Sequence, residues 1–160
     1  ILYLFGRPDS VYANLNYYPG TKFDRKATVI FEYNDDKTVQ FETYAHPLKR
    51  IGYERNSWDE GIQITGTNGR LELYTVMWDH PENNGLLLVH YDNETETSTE
   101  YRFPAENPFD VELVHFNTWL EEGRQGAPNY IDGYNVDTLL SHMYRSSAER
   151  RSIDIDWRDI

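Results

Sequence analysis

The sequence predicts an α+β fold: a large, mostly antiparallel open sheet with two C-terminal helices packed on one face. Three observations lead there. Between Ser10 and Tyr74, apolar and polar residues alternate with period two in successive short runs. The turns between these runs, Pro19-Gly20, Asn34-Asp35-Asp36-Lys37 and Asn68-Gly69, are the compact polar kind that joins antiparallel neighbours. At Asn107-Pro108 the period changes to 3.6 and holds that spacing through two helical segments.

Taken in order, Ile1-Leu2-Tyr3-Leu4-Phe5 followed by Gly6 reads as the last turn of a helix running into a glycine cap. A domain rarely begins with the end of a helix, so the chain reads as a fragment of a longer protein. Strand one runs from Ser10 to Tyr18, with Val11, Ala13, Leu15 and Tyr17 on one face and Tyr12, Asn14, Asn16 and Tyr18 on the other. Strand two runs from about Lys26 to Tyr33 and turns Ala27, Val29, Phe31 and Tyr33 one way. In strand three Val39, Phe41, Thr43 and Ala45 oppose Gln40, Glu42, Tyr44 and His46. Periodicity is lost from Pro47 to Asp59, where Lys49, Arg50, Tyr53, Arg55 and Trp58 gather.

A hairpin follows. Ile62 and Ile64 alternate with Gln63, and Leu71 and Leu73 with Glu72; Asn68-Gly69 supplies two residues that tolerate positive φ. Leu86-Leu87-Leu88-Val89 reads as a further strand, Asp92 to Glu100 as a solvated turn, and Tyr101-Arg102-Phe103 as a short strand. Asn107 suits an N-cap and Pro108 a first helical residue; Phe109, Leu113, Phe116 and Leu120 form the stripe, and Gly123 ends the helix. A second helix starts near Asp132-Gly133, turns Val136, Leu139, Leu140, Met143 and Ala148 inward, and finishes near Arg150-Arg151. Ile153 and Ile155 give a last short strand. Neither repeat nor linker interrupts the sequence, so residues 1–160 read as one domain. Two helices cover only part of such a sheet. The other face, with Tyr12, Tyr18, Ile30, Gln40 and Tyr44, is too aromatic to be left to water and is a candidate oligomer interface.

Composition excludes several functions. The net charge of −12, without a Lys/Arg run, argues against nucleic acid and anionic lipid as partners. The absence of cysteine excludes disulfides, thiolate nucleophiles and cysteine zinc sites. No apolar run approaches a membrane span, and no signal-peptide pattern is present, which gives a cytoplasmic protein as the expectation.

Five segments in order resemble the C-terminal half of the glucose-fructose oxidoreductase/inositol dehydrogenase (Gfo/Idh/MocA) family. They are Gly6-Arg7-Pro8-Asp9-Ser10-Val11-Tyr12-Ala13, the hairpin from Ile62 to Leu73, and Asp110-Val111-Glu112-Leu113-Val114-His115-Phe116 leading to Trp119-Leu120 and Gly123. Asp132-Gly133 and Tyr144-Arg145-Ser146-Ser147-Ala148 complete the set. The resemblance implies a substrate-binding and oligomerisation domain of an NAD(P)-dependent sugar or cyclitol dehydrogenase. NAD or NADP would sit on an N-terminal Rossmann domain whose glycine-rich turn this sequence lacks. The family's catalytic Lys of a Glu-Lys-Pro motif, and its assisting Asp and His, also fall outside the sequence, so it offers no catalytic residue of its own.

What the resemblance leaves to this chain is substrate positioning by Tyr44, His46, Arg50, Tyr53 and Arg55, whose donors suit a polyol or a carboxylated sugar. The plainer alternative makes Tyr44 and His46 interface residues and Arg50 and Arg55 a solvated loop beside Glu54. Trp78-Asp79-His80 reads as a surface loop and not a metal site; His90, His115 and His142 read as packing or boundary residues. Asn93-Glu94-Thr95 matches a glycosylation acceptor without a secretion signal to give it meaning, and Glu121-Glu122 is a solvated helix end. A homodimer or tetramer through the open sheet face is the expected assembly. The rival function is an autonomous module that binds a protein or carbohydrate on that face. On the dehydrogenase reading the chain should bind no dinucleotide, since it has no turn to present N–H groups to a pyrophosphate. Calorimetric titration with NAD, NADP and their reduced forms checks this, and micromolar binding of any of them would overturn it.

Overall fold

The computed structural model of the chain describes residues 1–45, 60–75, 85–104 and 106–158. In chain order it contains α1 (Leu2–Phe5), β1 (Ser10–Tyr17), β2 (Asp24–Glu32), β3 (Thr38–Tyr44), β4 (Gly61–Gly66), β5 (Gly69–Tyr74), β6 (Leu87–Asp92), β7 (Thr97–Arg102), α2 (Pro108–Glu121), α3 (Tyr130–Glu149) and β8 (Ile153–Asp154). The class is α+β, and among the described residues every strand pairing is antiparallel. Among the described residues the strands form two four-stranded sheets, ordered β3-β2-β1-β8 and β4-β5-β6-β7, where the periodicity predicts one. Alternation identifies strands but not their partners, so the sequence could not divide them. The sheets fall in separate units, residues 1–46 with 125–160 and residues 47–124.

In the first unit α1 ends as predicted on Gly6, which takes φ 80° and donates its N–H to the Leu2 carbonyl. The register sets Val11 beside Phe31 and Phe31 beside Val39, then Ala13 beside Val29 and Val29 beside Phe41. Opposed residues share a face, so these rows make the inner surface. Val11, Ala13, Leu15, Ala27, Val29 and Phe31 are buried there with Leu139 and Met143 of α3, Ile153 and Ile155. Each large aliphatic or aromatic side chain fully buried contributes about 1.5–3 kcal/mol.

Helix α3 begins before the predicted Asp132, because Asn129 caps it. Its side chain accepts from the Ile131 N–H, and Asp132 reaches back to the Asn129 N–H in a capping box. The buried line along α3 is Leu139, Met143 and Ser146; Val136, Leu140 and Ala148, predicted inward, are exposed. The cause lies at the edge of β1. Beyond Val11 the strand has no β8 partner, and its next outward N–H groups are satisfied by the helix: Ala13 donates to Ser146 Oγ at 2.9 Å and Leu15 to Ser147 Oγ at 3.0 Å. Such an approach needs small hydroxyl residues against the strand, and it turns Val136 and Leu140 away. Ser146 also donates to the Arg151 carbonyl at 2.6 Å. The C-terminal segment is tied back by Ile155 N–H to the Asp9 carbonyl at 2.8 Å and Trp157 Nε1–H to the Pro8 carbonyl at 2.7 Å.

In the second unit the β4–β5 hairpin pairs Gly66 with Gly69, so its corner residues are Thr67 and Asn68 and not the predicted Asn68-Gly69. Neither corner residue has positive φ; Gly69 does, at 150°. A Cβ on Gly69 would lie 2.0 Å from the Tyr91 carbonyl oxygen, so the glycine is required by the closeness of β6. Strand β7 takes in Thr97 to Glu100, predicted as turn. All six of its residues are exposed, which erases alternation and leaves only the β-preference of threonine as a signal. The turn itself is shorter: the Asp92 carboxylate accepts from the Glu94 and Thr95 N–H groups, and Glu96 takes φ 54°. Helix α2 starts on the predicted cap, Asn107 Oδ1 accepting from the Phe109 N–H, and Gly123 follows its end at φ 63°. No residue of α2 is buried, and the predicted packing stripe of Phe109, Leu113, Phe116 and Leu120 is exposed.

Ser146→Ala should lower stability by about 1–3 kcal/mol, because it leaves the buried Ala13 N–H without an acceptor. Ser147→Ala, at a less buried bond, should cost less. Urea unfolding of both variants measures the order, and equal or negligible losses would contradict the role given to the Ser146 hydroxyl.

Candidate functional site

The outer face of the first sheet is built from the residues that alternate with the core. Register places Tyr12, Ile30 and Gln40 in one row, Asn14, Thr28 and Glu42 in the next, and Asn16, Lys26 and Tyr44 in the last. The first row is the apolar end, with Tyr12 43% and Ile30 36% exposed. The other two rows are polar. Tyr44, the last residue of β3, stands on this face as predicted and is itself exposed. His46, Arg50, Tyr53 and Arg55 lie outside the described residues, as do Trp78, Asp79 and His80.

Tyr44 lines a cleft of about 320 Å³ with Asn16, Arg25, Lys26 and Glu42. Its frame is held by backbone. Tyr18 donates its hydroxyl to the Ala45 carbonyl at 2.8 Å, and the Ala45 N–H donates to the Arg25 carbonyl at 2.8 Å. The pairing of β1 with β2 slips here: Asn16 faces Lys26, Tyr17 faces Asp24, and Arg25 has no opposite number. Such a bulge re-aims a side chain, and two consecutive residues, Arg25 and Lys26, thereby reach the same cleft. Lys26 and Glu42 form an ion pair across it at 3.2 Å. The groups present can hydrogen-bond hydroxyls, stack a ring and attract an anion.

A second polar cluster, on β5 and β6, was not singled out from the sequence. Arg70 and Glu72 form an ion pair, Tyr74 donates to Glu72 Oε2 at 2.8 Å, and Tyr91 reaches the same oxygen at 3.4 Å. The hydrogen bond from Tyr74 and the nearby Arg70 charge hold the Glu72 carboxyl below its ordinary pKa, against the opposing effect of burial. The same bond to Glu72 raises the Tyr74 phenol. The i, i+2 run Arg70, Glu72, Tyr74 on one strand face was the available signal. The Glu72 carboxylate is paired within the cluster, whereas Arg70 Nε is buried without a hydrogen-bond partner among the described residues.

His90, His115 and His142 lie among the described residues. His115 stacks on Trp119 with ring centroids 6.1 Å apart. His142 Nδ1 lies 2.8 Å from the Thr138 carbonyl, and the Asp156 N–H donates to its Nε2 at 3.4 Å. His90 sits within β6. Among the described residues no three His, Asp or Glu side chains form a metal-ligand set, and no helix is long and apolar enough to cross a membrane.

A sequence profile described as the oxidoreductase-family C-terminal alpha/beta domain matches residues 1–155. No curated protein matches the chain. Among solved structures, the aldose-aldose oxidoreductase of Caulobacter crescentus complexed with glycerol has 16% identity and a TM-score of 0.72, over 96% of this chain and 43% of that one. Levoglucosan dehydrogenase in complex with NADH and levoglucosan has 16% identity and a TM-score of 0.71, over 98% and 47%. An oxidoreductase of Agrobacterium radiobacter in complex with NAD+, L-tartaric acid and magnesium has 18% identity and a TM-score of 0.69, over 96% and 45%. At such identities the likeness is one of fold, and the chain spans less than half the length of each.

The Glu72 network has a pH signature. A carboxyl whose folded pKa is depressed contributes stability above its unfolded value, about 4.3, and loses it as pH falls through the lower folded value. Glu72→Gln should therefore be less stable than the parent chain near pH 7, with the gap closing below about pH 4. Urea midpoints measured across that range check it; a gap independent of pH would show that the charge on Glu72 adds nothing.

Proposed function

The chain belongs to the C-terminal α/β domain family of Gfo/Idh/MocA oxidoreductases, and from that premise we propose that it is the substrate-binding and oligomerisation domain of an NAD(P)-dependent sugar or cyclitol dehydrogenase. The observation that carries the reading is the family match over residues 1–155. Sugar as the substrate class is supported by relatives of the same fold described with levoglucosan and with glycerol. Hydride transfer belongs to the longer protein. The described residues do not fit a dinucleotide: their strands are all antiparallel, and both long helices open on an asparagine side chain that already occupies a terminal N–H group, with no glycine-rich strand–turn–helix to cradle a pyrophosphate. In this proposal the cofactor is held elsewhere in the parent enzyme, the location is cytoplasmic, and Tyr44, with His46, Arg50, Tyr53 and Arg55 of the following stretch, positions the substrate.

The outer sheet face has a second role in the proposal. Its apolar row, Tyr12, Ile30 and Gln40, is suited to pairing with its own copy about a two-fold axis, the simplest closed arrangement for an exposed sheet face. Sedimentation at ~0.15 M salt, where the charge of −12 is screened beyond about 8 Å, should give a dimer. Tyr12→Glu or Ile30→Glu should split that dimer while leaving the fold intact, because a carboxylate buried unpaired at an interface costs several kcal/mol. A clean monomer across the micromolar range would rule the assembly out.

A further inference from the structure

The cleft beside Tyr44 carries a charge imbalance that bears on what it can hold. The whole sequence has 27 acidic residues against 15 Lys and Arg, yet among the described residues the cleft is lined by two cations, Arg25 and Lys26, and one carboxylate, Glu42. Lys26 and Glu42 neutralise each other. Arg25 forms no ion pair among the described residues. It is also the bulge residue, the one position in β2 displaced from the ladder with β1, so its presence in the cleft follows from an irregularity and not from strand alternation. An irregular backbone that brings an extra cation to a polar recess, in a chain this acidic, is more than a solvated surface requires.

We infer that this cleft takes an anionic carbohydrate, a sugar or polyol bearing one carboxylate. This rests on the proposed reading of Tyr44 as a substrate-site residue and names the class of substrate. The guanidinium of Arg25 offers the paired donors that a carboxylate accepts in bidentate fashion. Asn16 and the Lys26–Glu42 pair offer donors and acceptors for hydroxyls, and the Tyr44 ring offers a face for the carbon skeleton. A neutral sugar uses only the second set. A phosphate monoester would meet the same Arg25 guanidinium, and the titration below separates the two anions. At about 320 Å³ the space is at the small end of the usual range for ligand sites, suiting a single sugar unit. The apolar row of Tyr12 and Ile30 lies two rows from the cleft on the same face.

The test is titration of the 160-residue chain with D-gluconate, D-glucose and glucose 6-phosphate, followed by calorimetry and by proton NMR. Gluconate should bind more tightly than glucose by up to about fivefold, the scale of an exposed charge pair, and added salt should shrink the difference. Arg25→Gln, with its fold confirmed by circular dichroism, should bring the gluconate affinity down to that of glucose. Equal binding of glucose and gluconate would overturn the anionic class while leaving the substrate-site reading in place. Tighter binding of glucose 6-phosphate would overturn the choice of carboxylate, and a preference that survives Arg25→Gln would overturn the role of Arg25. Binding of none of the three would overturn both this inference and the placing of Tyr44 in a substrate site.

Discussion

The first unit depends on what satisfies the outer edge of β1. That strand is paired with β2 along its length but with β8 at only two positions, Ser10 and Val11. Past them, Ala13 and Leu15 present N–H groups in a buried or half-buried setting, where an unmade bond costs about 1–3 kcal/mol. Another strand would be the common answer. Here the answer is a helix whose hydroxyls stand in for carbonyls. Once Ser146 and Ser147 must touch β1, the rotation of α3 about its axis is fixed. Leu139 and Met143, seven and three residues before Ser146, then face the sheet. The inner face becomes the side carrying Val11, Val29 and Phe31, and the outer face is left to Tyr12, Ile30 and the polar rows beyond.

That division explains how one small sheet can serve both stability and recognition. The inner face contributes through apolar burial, which needs no particular direction. The outer face contributes through positions that register dictates: Tyr44 can share a cleft with Asn16 and Lys26 only because β3, β2 and β1 align those three residues in one row. The ion pair of Lys26 with Glu42 is exposed on both sides and belongs to a class worth at most about 1 kcal/mol. Its importance is that, among the described residues, it leaves Arg25 as the cleft's uncompensated charge.

Much of this was legible in the sequence. The alternation of Val11, Ala13 and Leu15 and of Ala27, Val29 and Phe31 gave the core strands, and Asn107-Pro108 gave the start of α2. What escaped had physical reasons. β7 is exposed on both faces, so no hydrophobic period marks it. Val136 and Leu140 look like core residues by spacing, but the buried line of α3 is set by two serines whose partners are more than a hundred residues away in sequence. Hairpin chemistry located a turn near Gly69, yet the glycine answers to the Tyr91 carbonyl on another strand and not to the turn corner. Of the candidate site only Tyr44 was named in advance. Asn16, Lys26 and Glu42 read as ordinary outward positions until pairing brought them together.

Arg25 is the hardest of these to foresee, and it joins fold to function most directly. In an uninterrupted strand the side chains of Arg25 and Lys26 would point to opposite faces, because the period is two. Arg25 would then lie with Ala27 and Val29 on the side that faces α3, where an unpaired guanidinium is costly. The slip between Asn16 and Tyr17 removes that conflict by leaving Arg25 outside the ladder. The same slip brings a second cation into the cleft beside Tyr44. Restoring regular pairing would therefore have two linked effects: a charge driven toward the core, and a cleft reduced to a neutral pair. The irregularity relieves the first and creates the chemistry of the second, so the end of β2 answers to packing and to recognition through one displaced residue.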